Sequence, residues 1–231
     1  VPDAVLGDIR AMIAAVRTGS KRFSQVIDKY GLDLTSEAIQ KFFEQGEKMS
    51  RMSIRRIPNG TYFAKTFLDG DGNDDAPLDE KLLLQVSVIV DDEEITLDFT
   101  GTDRQCRGPM NVPEPSTISA SRYAFKIVTT PFLPSNEGFF HPLKTIIPDG
   151  SLLKAQFPAA CAMWPTPTNV IPDLVLKALA PVIPNRVRAG HFGDCMSNFI
   201  YISEFTTPKS MCLHELNFFT IFYNRFKKIV S

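Results

Sequence analysis

The feature that most constrains this chain is a switch in apolar periodicity near residue 58. Before it, apolar residues recur at helical spacing: Val5, Ile9, Met12, Ile13 and Val16, then Phe23, Val26, Ile27 and Tyr30. After it they alternate, as in Ile95, Leu97 and Phe99. A 3.6-residue period buries one stripe of a helix, whereas a period of two buries one face of a sheet. The chain therefore starts helical and becomes stranded, an order that implies an α+β fold rather than alternating βα units.

The spacing predicts a helix over 5–30, with Gly19 as a point where it kinks or splits and Gly31 as its C-cap. A second helix is predicted over 36–56, capped by Thr35 or Ser36 and ended by Pro58. Together they form an αα-hairpin with a short loop. Asn59–Gly60 is a turn signal that opens an antiparallel meander, with strands over 61–68, 82–90 and 94–100. Residues 101–116, rich in Gly and Pro, read as a loop, and 117–130 as a helix. Short strands are expected at 143–147 and 151–156. The proline-rich stretch 158–172 reads as irregular, followed by a short helix over 173–180.

Composition narrows the function classes. The 231 residues are 44% hydrophobic, with a formal net charge of −1, which disfavours a nucleic-acid binder that works by bulk positive charge. The basic runs 51–56 and 225–228 are short and read as solvated faces or helix ends. Cys106, Cys161, Cys195 and Cys212 form no CxxC pair, so reduced thiols in a cytoplasmic protein are expected. Arg10 interrupts the first apolar run before it reaches signal-peptide length, and no run is long enough to span a membrane. The chain begins at Val1, which fits either trimming or an incomplete sequence.

Few motifs carry chemistry. The acidic loop from Asp69 to Asp75 approaches calcium-loop spacing through Asp69, Asp71, Asn73, Asp75 and Glu80. Its sixth position is Asp74 where the turn wants Gly, and its flanks read as strands, so a solvated loop is the better reading. His141, His191 and His214 are far apart, and no transition-metal set is expected on this chain. There is no GxxxxGK[ST], GxGxxG or GxSxG pattern, so no ATP site is read here. The candidate pocket or partner loops hold Asp103 and Asn111 just after a strand end, Asn136 and Glu137 in a polar Gly-containing turn, and His191 with Asp194 between glycines.

Several segments together resemble the hydantoinase B / 5-oxoprolinase family. They are Leu6-Gly-Asp8 with Ala11 and Val16-Arg17, Tyr30-Gly31, Pro58-Asn-Gly-Thr-Tyr62, Leu97-Asp-Phe-Thr-Gly-Thr102 and Arg107-Gly-Pro-Met-Asn111. Asn136-Glu-Gly-Phe-Phe140, Pro142-Leu-Lys144, Pro148-Asp-Gly-Ser-Leu152, Pro158-Ala-Ala160 and Pro184-Asn-Arg-Val187 continue the series in order over 1–200. The resemblance implies an internal piece of a subunit of an ATP-dependent amidohydrolase that opens cyclic amides such as 5-oxoproline or a hydantoin. It implies a hydantoinase A-type partner that handles ATP, and a divalent metal held by a family region preceding this one. This chain would bind neither cofactor and would be inactive alone; the alternative is a non-catalytic structural or partner-binding module of the same descent. Where the family often carries a glycine-rich GGN stretch, this chain has Cys161-Ala-Met-Trp-Pro-Thr-Pro167, which implies a different substrate pocket. Residues 201–231 show no such resemblance and are expected to be a tail foreign to the fold.

Overall fold

The computed structural model describes residues 2–71, 81–187, 190, 200–202 and 211–213. Helix α1 (Pro2–Tyr30) is followed by α2 (Leu32–Ile54), β1 (Gly60–Leu68), β2 (Leu82–Asp91), β3 (Glu94–Asp98), α3 (Glu114–Thr129), a 3-10 turn (Glu137–Phe140), β4 (Leu143–Ile146) and α4 (Pro165–Leu179). A 3-10 turn (Pro184–Arg186) and a small hairpin of β5 (Ile200–Ile202) and β6 (Met211–Leu213) complete the described elements. Apart from the residues of that hairpin, the expected tail over 201–231 lies outside the described residues. The α+β order expected from the sequence is the order found.

The main sheet runs β1-β2-β3-β4. The first three strands form the expected antiparallel meander, Gly60 pairing with Val90 and Asp91 with Glu94. Strand β4 then returns beside β3 in parallel, Ile95 pairing with Leu143, so the sheet is mixed. Alternation decides its faces. Leu82, Leu84, Val86, Val88 and Val90 of β2 are buried, and Ile95 and Leu97 of β3 join them. Helices α3 and α4 cover this face through Ala124, Phe125, Val128, Ile171, Leu174 and Val175. Each fully buried Leu, Ile or Phe contributes about 1.5–3 kcal/mol.

Four local readings are corrected. Gly19 does not split α1, which is continuous; a single glycine costs about 1 kcal/mol in a helix interior and does not break it. Helix α2 starts at Leu32 because Gly31, at φ +82°, turns the chain within one residue. The Thr35 hydroxyl lies inside the helix and donates to the Gly31 carbonyl at 2.7 Å instead of capping. Residues 151–156 make one bridge, Arg104 to Ser151, and otherwise turn. Leu152 and Leu153 are both buried, a consecutive pair that a one-sided strand cannot place. Finally, α4 begins at Pro165, inside the stretch read as irregular. Pro165 and Pro167 stand in the first turn, where backbone N–H groups have no helical acceptor anyway. Pro172 alone removes an internal helical bond, the one to the Thr168 carbonyl.

Helix α1 leaves its apolar residues open along its length. Met12 is 68% exposed, Val16 73% and Phe23 52%, so the helices flanking Gly31 do not bury α1's stripe between them.

Candidate functional site

The loop after β3 is built as an extension of the sheet. The Leu83 amide donates to the Asp103 carboxylate at 2.7 Å, and the Asp103 amide returns a bond to the Leu83 carbonyl at 3.0 Å. Thr102, buried, likewise accepts from the Gln85 amide and donates to the Gln85 carbonyl, each at 3.2 Å. The chain then closes around Asn111, which is fully buried. Its Oδ1 accepts from the Cys106 amide at 2.8 Å, and its Nδ2 faces the carbonyls of Cys106, Gly108 and Ala160 at 3.0, 2.9 and 2.9 Å. The Gly108 amide donates to the Asp71 carboxylate at 3.0 Å. A side chain at 108 would run into the Asp71 backbone, so Gly is required by close approach. Burial first, and then the Asp71 charge, push the Cys106 thiol up, which favours its protonated form.

Asn136 and Glu137 lie elsewhere, where the first 3-10 turn meets α2. Asn136 accepts from the Phe139 amide at 3.1 Å, capping that turn, and donates to the Phe42 carbonyl at 2.9 Å. Glu137 accepts from both Arg122 terminal nitrogens, at 3.0 and 2.5 Å. Nearby, the Glu47 carboxylate is held below the usual glutamate range, first by its hydrogen bond to His141 at 2.7 Å and then by Arg51. Arg51 also reaches Glu94, and Arg55 pairs with Glu93, so the basic end of α2 is tied to the β2–β3 turn.

The four described residues among the six singled out in the sequence thus do not converge. Asp103 and Asn111 share one loop, Asn136 and Glu137 another, and His191 and Asp194 lie outside the described residues. Of the calcium-like loop, Asp71 is buried with its carboxylate on Gly108, while Asn73, Asp75 and Glu80 lie outside the described residues. Among the described residues no three His, Cys, Asp or Glu side chains cluster to hold a metal ion, so these donors do not fit the implied metal. No described helix is long and apolar enough to cross a membrane.

The structure instead opens a cleft of about 770 Å³ between α3 and α4. Ser116, Ser119 and Tyr123 line it from α3; Trp164, Thr168, Asn169 and Asp173 line it from the opposite side. Ala120, Pro172 and Leu176 make its apolar walls. Hydroxyls, one amide and one carboxylate stand over apolar walls, and the Thr168 hydroxyl donates to the Trp164 carbonyl at 2.7 Å. Gly190, the residue before His191, passes beside Asp173, where an added Cβ would lie 3.1 Å from the carboxylate. Reading 158–172 as irregular hid part of one wall of this cleft, the part that holds Trp164, Thr168, Asn169 and Pro172. One signal pointed to it: the departure over Cys161–Pro167, whose Trp164 stands on the cleft wall.

The family model described as Hydantoinase B/oxoprolinase matches residues 1–220. The chain belongs to this family. It is 37% identical over 196 residues to the B-type subunit of a putative D-/L-hydantoinase from Pseudomonas sp. (strain NS671), covering 82% of this chain and 33% of that protein. It is 24% identical over 206 residues to a 5-oxoprolinase of Dictyostelium discoideum, covering 86% of this chain and 15% of the relative. The fold is that of the ATP-dependent caprolactamase from Pseudomonas jessenii, with a TM-score of 0.76 at 22% identity over 91% of this chain and 35% of that one. The chain therefore spans about a third of the length of the hydantoinase relative.

Proposed function

We propose that this chain works as part of an ATP-dependent amidohydrolase that opens cyclic amides of the hydantoin or 5-oxoproline type. The observation that carries the proposal is the 37% identity to a hydantoinase B-type protein across most of the chain. An amide ring resists water because nitrogen feeds electron density into the carbonyl. Transfer of the γ-phosphoryl group of ATP to the amide oxygen releases ADP and ties up that resonance. Water then adds to the activated carbon, and the ring C–N bond breaks with nitrogen taking a proton. Hydrolysis of the resulting acyl phosphate leaves a carboxylate and inorganic phosphate. A hydantoinase A-type subunit or domain is the partner we assign to the phosphoryl transfer, with a divalent metal, held outside the described residues, in the complete assembly. The contribution we assign to this chain is the loop around Asn111 and the α3–α4 cleft, whose lining includes Ser119, Asn169 and Trp164. We place the assembly in the cytoplasm, where ATP is available.

The chain alone is expected to be inactive. The test is a coupled ATPase assay with hydantoin, 5-oxoproline and caprolactam, run on the chain alone and on the chain with a hydantoinase A-type subunit and the remainder of a hydantoinase B-type one. Substrate-dependent ADP release only from the reconstituted assembly is the expected result. Turnover by the chain alone would refute its incompleteness. Failure of every assembly that contains it, while the same assembly with a native hydantoinase B-type protein turns over, would favour a non-catalytic module.

A further inference from the structure

Helix α1 carries a strict heptad seam. Val5, Ile9, Met12, Val16, Gly19, Phe23, Val26 and Tyr30 follow one another by alternating steps of four and three. Seven of these are large apolar side chains, and each is at least 42% exposed. Val5 to Tyr30 spans ~38 Å at about 1.5 Å per residue. At its C-terminal half the seam faces α2 across an open apolar groove of about 700 Å³, lined by Phe23, Val26 and Tyr30 and by Leu34, Ile39 and Phe42. A seam of this length repeating every 3.5 residues fits a second helix better than a flat surface.

We propose that the occupant is α1 of a second copy of this chain, running antiparallel, so that the N-terminal half of each α1 enters the groove of the other. The sequence selects this arrangement in two ways. In the antiparallel register Val5 meets Tyr30 of the second copy, Ile9 meets Val26, Met12 meets Phe23 and Val16 meets Gly19. Every layer then joins one a position to one d position, and Gly19 always faces a larger side chain. A parallel pair would stack Gly19 on Gly19 and leave a gap. Charge agrees: Asp8 flanks the seam on the same side as Lys29, and only the antiparallel pairing sets Asp8 against Lys29 of the second copy, twice by symmetry. Lys29 already sits beside the seam, its ammonium 4.8 Å from the Tyr30 ring centroid. In a parallel pair the flanking partners of Asp8 and Arg22 would be Ile13 and Ile27.

The full chain, measured by light scattering and sedimentation from low to high micromolar concentration, is expected to show twice the 25.8 kDa of one copy. Asp8→Lys and Lys29→Asp should each weaken association roughly tenfold, by turning two attractive pairs into repulsive ones. The double variant, and an equimolar mixture of the two single variants, should restore it. Met12→Lys should abolish it. Because α1 stands outside the core, circular dichroism and the melting of the core report that each variant is folded. A wild-type chain that stays monomeric overturns the proposal and directs the seam to the remaining two-thirds of a hydantoinase-B-length protein. A two-chain mass that the charge reversals do not change, or that the double variant does not restore, overturns it as well.

Discussion

Replacing Asn111 separates a structural from a ligand-binding role for that loop. The side chain is fully buried, with one accepted bond from the Cys106 amide and Nδ2 facing three carbonyls. Two N–H protons cannot make three full bonds, so about three bonds' worth of interaction is at stake. At about 1 kcal/mol net per bond, Asn111→Ala costs about 3 kcal/mol. The penalty is not larger because Ala160 is exposed and its carbonyl can turn to water, and because the Gly108 carbonyl keeps a weak thiol contact from Cys106 at 3.5 Å. For a domain of this size that is a drop of roughly 6–12 °C in Tm. Asn111→Asp keeps the shape and the bond from Cys106 but aims an anion at carbonyl oxygens, so it should cost at least as much. Urea unfolding followed by tryptophan fluorescence and circular dichroism gives both values, with Trp164 as the single tryptophan. A loss below about 1 kcal/mol for Asn111→Ala would refute this account. Preserved stability with lost activity in the reconstituted enzyme would show instead that Asn111 contacts substrate.

Three further outcomes are expected. Gly138→Ala drives a methyl group into the Phe43 backbone, where the first 3-10 turn meets α2, and should cost about 1–3 kcal/mol by thermal melting, whereas Gly7→Ala on open α1 should not destabilise. Glu47 titrates below its unfolded value, so the stability it contributes is present above the ordinary glutamate range and is lost as pH falls through its lowered folded value. Glu47→Gln should therefore lower Tm at neutral pH and converge with the parent at acid pH, as a Tm–pH series would show. Glu137→Ala should cost less than about 1 kcal/mol despite its two bonds to Arg122, because both partners are largely exposed and the pair is screened; chemical denaturation with and without salt checks this.

Local signals carried far along this chain because they depend on near neighbours. The alternation over 82–99 named the buried face of the sheet, Tyr30-Gly31 named a helix end, and Asn59–Gly60 named the start of β1. The family was legible in ordered motifs, of which Arg107-Gly-Pro-Met-Asn111 proved to be the loop that folds around Asn111. What failed was local too. Prolines at 165 and 167 suggested a breaker, although the first turn of a helix tolerates them. Polar loop residues suggested a pocket, although Asp103, Asn111 and Asn136 spend their hydrogen bonds stitching backbone together.

By itself, then, the sequence determined the class of α1, α2, α3 and the first three strands, the buried face of the sheet and the family, because periodicity and turn chemistry act over a few residues. Only the tertiary structure decided that β4 returns parallel to β3, that α3 and α4 part to form the cleft holding Trp164 and Asn169, and that α1 keeps its apolar seam open. Each of these depends on which surfaces meet across long stretches of chain. An amphipathic stripe states only that something must cover it; the packing of every other element decides whether this chain supplies the cover.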